Sequence, residues 1–380
     1  MRQAKPEDVT ELKNRLAELE KLVSKLSRVG VDYHSTGTDF EDAAFIRAYD
    51  QAAVRSAVKV QLQSMADRGA TILFTHLWMV TNPGDTGGDS ELNWRTHFPL
   101  TDQEEQNLHI YVQDVAGVVG SGGNRLLLSI CLLWLGASDY TSRSPDTTLG
   151  SSNLTAAEFT SRVETTTDKV LAAVKAVPRP DGVAVTDRIY MEGEVMIGAK
   201  ANQEWFLTTH YPRFVAQVSA AGFKPMVYFI VADSQASLLQ SGYVDGDYPI
   251  LNDHRSMYWI YRSVKFMVDQ GLPIPSRIDF SYYISDPAGA PFDAITKRVL
   301  DDADAVLPSL GAPQSYFFAE TSYFQDDSQR RAFGQAIAGQ GAVNSRLNGL
   351  CFWTTPDAGG PGIDIAYPFA IEDYFPLPDS

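Results

Sequence analysis

Residues 187–195, DRIYMEGEV, put two carboxylates at the end of an apolar, strand-forming run. Side chains alternate along a strand, so Tyr190, Glu192 and Glu194 share one face. Carboxylates on such a strand are costly to bury unless a partner or a reaction uses them. A counterpart lies far downstream in SYFFAE, residues 315–320, an aromatic run that closes on Glu320. Two strand-terminal carboxyl groups from distant parts of a chain are what hydrolysis of a glycosidic bond requires. One must be protonated to donate to the leaving oxygen, which burial or a neighbouring carboxylate favours; the other must stay ionised.

Hydrophobic periodicity gives the elements that must hold these groups. Strand-like runs at 31–34, 71–80, 125–135, 187–194, 224–231, 276–284, 315–320 and 349–355 alternate with helical stretches. Those helices fall at 52–67, 103–119, 155–176, 203–221, 255–270, 290–307 and 328–342. TILFTHLWMV and RLLLSICLLWL are near-continuous apolar runs, the mark of strands buried on both faces. Eight strands separated by seven helices predict an α/β chain whose parallel sheet closes as a (β/α)8 TIM barrel over residues 30–380. An open doubly wound sheet is disfavoured, because no glycine-rich phosphate loop follows the first strand. Loops after strands 2, 3, 5 and 8 (81–99, 136–154, 232–253 and 356–370) are long, whereas return loops such as Arg68–Ala70 are short. The elaborated face is therefore the C-terminal one, where barrels carry their active sites.

On this count Glu192 and Glu194 end the fourth strand and Glu320 ends the seventh. Here the chain resembles the large clan of (β/α)8 retaining glycoside hydrolases, which carry the acid/base at the end of strand 4 and the nucleophile at the end of strand 7. The resemblance implies a glycosidase acting by double displacement on a polysaccharide or oligosaccharide. Glu194, nearer the strand end, would be acid/base and Glu320 nucleophile. The clan commonly sets a Tyr near the end of strand 6 to hydrogen-bond the nucleophile, for which Tyr282 and Tyr283 are available. It also sets a Trp at the end of strand 8 as the floor of the sugar subsite, matched by Trp353 in FWTT. One position departs: the clan usually has Asn directly before the acid/base, but Gly193 precedes Glu194 and Met191 precedes Glu192. Another loop then supplies that contact, or the sugar lacks an equatorial hydroxyl there, or the site is degenerate. The alternative function is accordingly a barrel that binds glycan, or serves as a structural module, without cutting.

The remaining polar and aromatic residues are weighed against this reading. Asp32, Tyr33 and His34 on the first strand, with His76 on the second, invite comparison with metal-dependent amidohydrolases of the same fold. That chemistry needs further histidines or a bridging lysine on strands 4 to 6. KPMVYFIV and SRIDFSYYI contain no His, so no metal or cofactor is expected. His34 and His76 then become substrate hydrogen-bonders or core-rim residues, and Trp134, like Trp78 and Trp94, a stacking platform or packing. Glu192 is a substrate contact or a salt-bridge partner of Arg188, while Asp233 and Asp286 are further subsite candidates. No G-x-S-x-G elbow supports serine hydrolysis.

The net charge of −16 argues against nucleic acid and anionic membranes as partners, and no run is apolar enough to insert in a bilayer. Cys131 and Cys351 sit in apolar strand-like runs and read as buried thiols. Residues 1–29 form a separate element, an amphipathic helix over 6–28 opened by Pro6 with Glu7 and Asp8 in its first turn. Val9, Leu12, Leu16, Leu19, Val23 and Leu26 give a coiled-coil-like seam, which predicts a homo-oligomer. The other reading is a helix packed on its own barrel. The charged opening MRQAKPEDVTELKNRL has no secretion signal, so the expected setting is a virion, as a phage tail or fibre component, or the cytoplasm.

Overall fold

In the computed structural model, eight parallel strands close on themselves in chain order, with the last paired to the first. The structure describes residues 29–33, 43–79, 96–134, 155–175, 177–191, 200–231, 248–283, 292–322, 336 and 346–353. The strands are β1 (Val29–Tyr33), β2 (Ile72–Met79), β3 (Leu127–Trp134) and β4 (Thr186–Met191). They continue with β5 (Lys224–Ile230), β6 (Ile278–Tyr283), β7 (Tyr316–Ser322) and β8 (Leu347–Trp353). The expected TIM barrel is the observed fold. The seam over 6–28 and, apart from position 336, the helix expected at 328–342 lie outside the described residues.

Around the barrel run α1 (Ala52–Asp67), α2 (Asp102–Gly117), α3 (Ala156–Lys175), α4 (Lys200–Thr209), α5 (Tyr211–Ala220), α6 (Tyr258–Asp269) and α7 (Phe292–Val306). Local chemistry starts α2. The Glu104 backbone N–H donates to Thr101 Oγ1 at 3.2 Å, and Glu104 Oε2 accepts from the Thr101 N–H at 2.7 Å, a reciprocal cap. One expectation is corrected: the stretch 203–221 is two helices, broken at His210. Pro212 sits in the first turn of α5, where its missing N–H is harmless; inside one long helix its ring would clash with the Thr208 carbonyl.

His210 fills that joint. Phe159, Trp205 and Phe206 enclose its ring, with centroids 5.3, 4.8 and 5.5 Å away. Neither ring nitrogen has a hydrogen-bond partner among the described residues. Burial, reinforced by the Arg213 charge, lowers its pKa to about 3. An unfolded chain takes up a proton on this residue below about pH 6.5, whereas the folded chain does not. Stability is therefore lost on acidification, by about 1.4 kcal/mol per pH unit between that value and the folded one. Denaturant titrations of the parent and His210→Phe at pH 7 and pH 5 check this. The parent should lose more stability than the variant; equal losses would mean that His210 is protonated in the fold.

Strand alternation divides the core in two. Val31, Tyr33, Ile189, Phe280, Tyr282 and Phe318 belong to the layer between strands and helices. Phe74, Cys131, Tyr190, Tyr228, Phe317 and Cys351 fill the barrel interior. At Gly30 the interior leaves no room: a Cβ would stand 2.6 Å from Ile72 Cβ and 2.8 Å from Cys351 Sγ. Gly30→Ala is expected to destabilise the fold by ~1–3 kcal/mol through overpacking. The denaturation midpoint should fall while far-ultraviolet circular dichroism stays native; an unmoved midpoint would show slack in this layer.

Candidate active site at the carboxyl ends of the strands

The seventh strand carries the key geometry. Phe317 and Ala319 lie in the interior cluster and Phe318 in the outer one, so strict alternation would send position 320 outward. The pairing with β6 changes this: Phe280 pairs with Phe318, but Ser281 pairs with Glu320. One extra residue is bulged into β7 at Ala319. Ser281 shares the interior row of Asp279, and the bulge brings the backbone of Glu320 level with it. The Glu320 backbone thus stands beside Ser281 near the carboxyl end of its strand.

The other proposed residues fall into three groups. Glu192 and Glu194 follow directly on β4, and His34 on β1, outside the described residues, as do Trp94, Asp233 and Asp286. For Trp134, Tyr283 and Trp353 the backbone is in place, paired with Met79, Ser322 and Asp32 respectively. Two side chains are fully visible. His76 is buried in the barrel with Nδ1 3.0 Å from Asp32 Oδ1. Tyr282 requires a correction: its ring packs against Phe318, 5.1 Å between centroids, and its hydroxyl lies 3.3 Å from Thr296 Oγ1 on α7. It faces the helices, because it alternates with Asp279 and Ser281, which face inward.

Deeper in the barrel lies a polar network that the sequence reading did not single out. Arg277 Nε and Nη2 donate to the two oxygens of Asp279, each at 2.6 Å. Tyr190 donates its hydroxyl to Asp279 Oδ2 at 2.6 Å and accepts from Arg277 Nη2 at 2.9 Å. The guanidinium stacks over Phe317, 4.0 Å from the ring centroid. Burial alone would lower the Arg277 pKa, but the Asp279 carboxylate and then Tyr190 outweigh it and hold the pKa above its ordinary value. The Tyr190 hydroxyl is pushed up by burial and by Asp279. Cys351 is pushed up by burial and then by the nearby Asp32 carboxylate, so it stays a thiol. With both carboxylate oxygens engaged, Asp279 acts as the floor of the interior and leaves proton transfer to groups above it. The signal was present in SRIDFSYY, where Arg277, Asp279 and Ser281 repeat at the strand period of two.

Among the described residues no group of three or more His, Cys, Asp or Glu could hold a metal ion, and no helix is long and apolar enough to cross a membrane. No known protein-family model matches the chain, and no curated protein matches it. Solved structures resemble it in fold. An endo-β-1,4-mannanase double mutant from Cellulomonas fimi is 12% identical with a TM-score of 0.41, covering 80% of this chain. This chain spans 62% of that one, under two thirds of its length. A glycoside hydrolase family 5 mannosidase mutant from Rhizomucor miehei, in complex with mannosyl-fructose, is 12% identical with a TM-score of 0.49, over 86% of this chain and 80% of that one. A family 128 (subgroup I) endo-β-1,3-glucanase mutant from Amycolatopsis mediterranei, in complex with laminaripentaose, is 11% identical with a TM-score of 0.40, over 84% and 94%.

Proposed function

We propose that the chain is a glycoside hydrolase that cleaves a polysaccharide or oligosaccharide by retaining double displacement. The observation that carries this reading is the register of β7, which sets the Glu320 backbone level with interior Ser281 at the mouth of a closed parallel barrel. Strand β4 ends at Met191, and Glu194 stands three residues further along the sequence. Glu320 is then the nucleophile and attacks the anomeric carbon while Glu194 protonates the departing oxygen. Glu194 next deprotonates the water that releases the sugar from Glu320. Tyr283 orients the nucleophile, and Trp353 floors the subsite that binds the ring face. The seam of residues 9–26 would make the enzyme an oligomer, and a phage tail or fibre component is the setting that fits such an assembly.

Release of reducing ends tests the reading. The parent and Glu320→Gln would be incubated with β-1,4-mannan, β-1,3-glucan and an N-acetylated amino-sugar polymer, the last because Gly193 stands where the clan has Asn. Turnover by the parent alone is expected. Binding of any of these glycans without turnover would favour the second reading, a non-catalytic glycan-binding module.

A further inference from the structure

Interior residues of a (β/α)8 barrel are stacked in layers, with alternate strands contributing to each. Phe74, Tyr190 and Asp279 come from even strands and touch: the Phe74 and Tyr190 centroids are 4.7 Å apart, and Tyr190 bonds Asp279 at 2.6 Å. One interior step toward the carboxyl ends brings His76 on β2, Ser281 on β6 and the backbone of Trp353 on β8. His76 therefore belongs to the layer of Ser281, one step above the Arg277–Asp279–Tyr190 floor.

Asp32 lies between these two layers. Its register partners are Phe74 and Trp353, and its Oδ1 stands 3.0 Å from His76 Nδ1. Both side chains are at most 1% exposed. The imidazole is held edge-on by Phe74 and Tyr228, at 5.0 and 6.0 Å between centroids. Burying a carboxylate against an imidazole costs desolvation that two apolar residues of similar volume would avoid. The approach of Asp32 Oδ1 to Nδ1 holds the ring with Nε2 on the side away from Asp32.

We propose that Asp32 and His76 are positioning residues for the reaction at the mouth, with Asp32 fixing the ring so that His76 Nε2 orients a reacting carboxylate. This rests on the glycosidase reading above. Two replacements separate it from a packing role. Asparagine at 76 puts an amide where Nδ1 was and nothing at Nε2; glutamine reaches the Nε2 position and gives up the contact with Asp32. The probe is whichever polymer of the panel the parent cleaves, with thermal midpoints measured for each variant.

His76→Asn is expected to lower kcat by about 10–100-fold with KM within about twofold of the parent, the range seen when an orienting partner is removed. His76→Gln should keep more kcat than His76→Asn, and Asp32→Asn should lower kcat with KM unmoved. If His76→Asn keeps the parent kcat while His76→Gln loses it alongside its thermal midpoint, the pair only packs the barrel and the proposal is overturned. A parent that cleaves no glycan overturns the glycosidase reading itself, and this proposal with it.

Discussion

Glu320→Gln is expected to reduce kcat/KM for glycan hydrolysis by about 10,000-fold, because the amide keeps the shape of the side chain and removes its charge and nucleophilicity. The retaining transition state is an oxocarbenium-like cation that a carboxylate both stabilises and captures, so the loss should appear in kcat. Substrate affinity should survive, since binding of the ground state draws mainly on stacking and hydroxyl contacts. Initial rates under saturating polymer, with binding followed in parallel, read both quantities. A variant within about tenfold of the parent would exclude Glu320 as nucleophile and leave the bulge at Ala319 as a device of barrel closure alone.

The largest effect on stability is expected at the floor of the barrel. Asp279→Ala removes the carboxylate that two nitrogens of Arg277 and the Tyr190 hydroxyl share. The guanidinium would be left buried without its counter-charge, so unfolding free energy should fall by about 3–5 kcal/mol. Replacing both ends together, as Arg277→Met with Asp279→Leu, should recover most of that loss, because the cost lies in the orphaned charge rather than in the pair. Urea denaturation of the parent, Arg277→Met, Asp279→Leu and the double closes the cycle, with Asp279→Ala measured beside them. A loss below about 1 kcal/mol for Asp279→Ala would mean that water reaches Arg277 from the open end of the barrel.

The barrel was readable in the sequence because a parallel strand covered by helices outside and side chains inside has no polar face. TILFTHLWMV and RLLLSICLLWL therefore appear as unbroken apolar runs, and both became strands. The helix at 52–67 was equally plain, since its apolar stripe repeats without Gly or Pro. What failed were features that depend on one residue's local geometry. The break at His210 turned on Pro212, whose effect depends on whether it stands in a first turn or an interior. Tyr282 and Tyr283 are adjacent and chemically alike, so only the phase set by Asp279 tells that Tyr282 packs toward the helices. For Glu320 the pairing with Ser281 required the bulge at Ala319, which no alternation pattern announces. Arg277 and Asp279 were visible as a charged pair at spacing two, yet a charged pair at a strand's start reads as easily as an exposed edge.

The separation of the Glu194 and Glu320 carboxyl groups in a crystal structure tests the proposed chemistry most directly. Double displacement predicts about 5–5.5 Å between them across an open cleft. A separation of about 6.5–9.5 Å would instead require an inverting reaction through an activated water. Carboxyl groups farther apart than that, or a Glu320 closed in a buried salt bridge, would contradict hydrolysis by this pair.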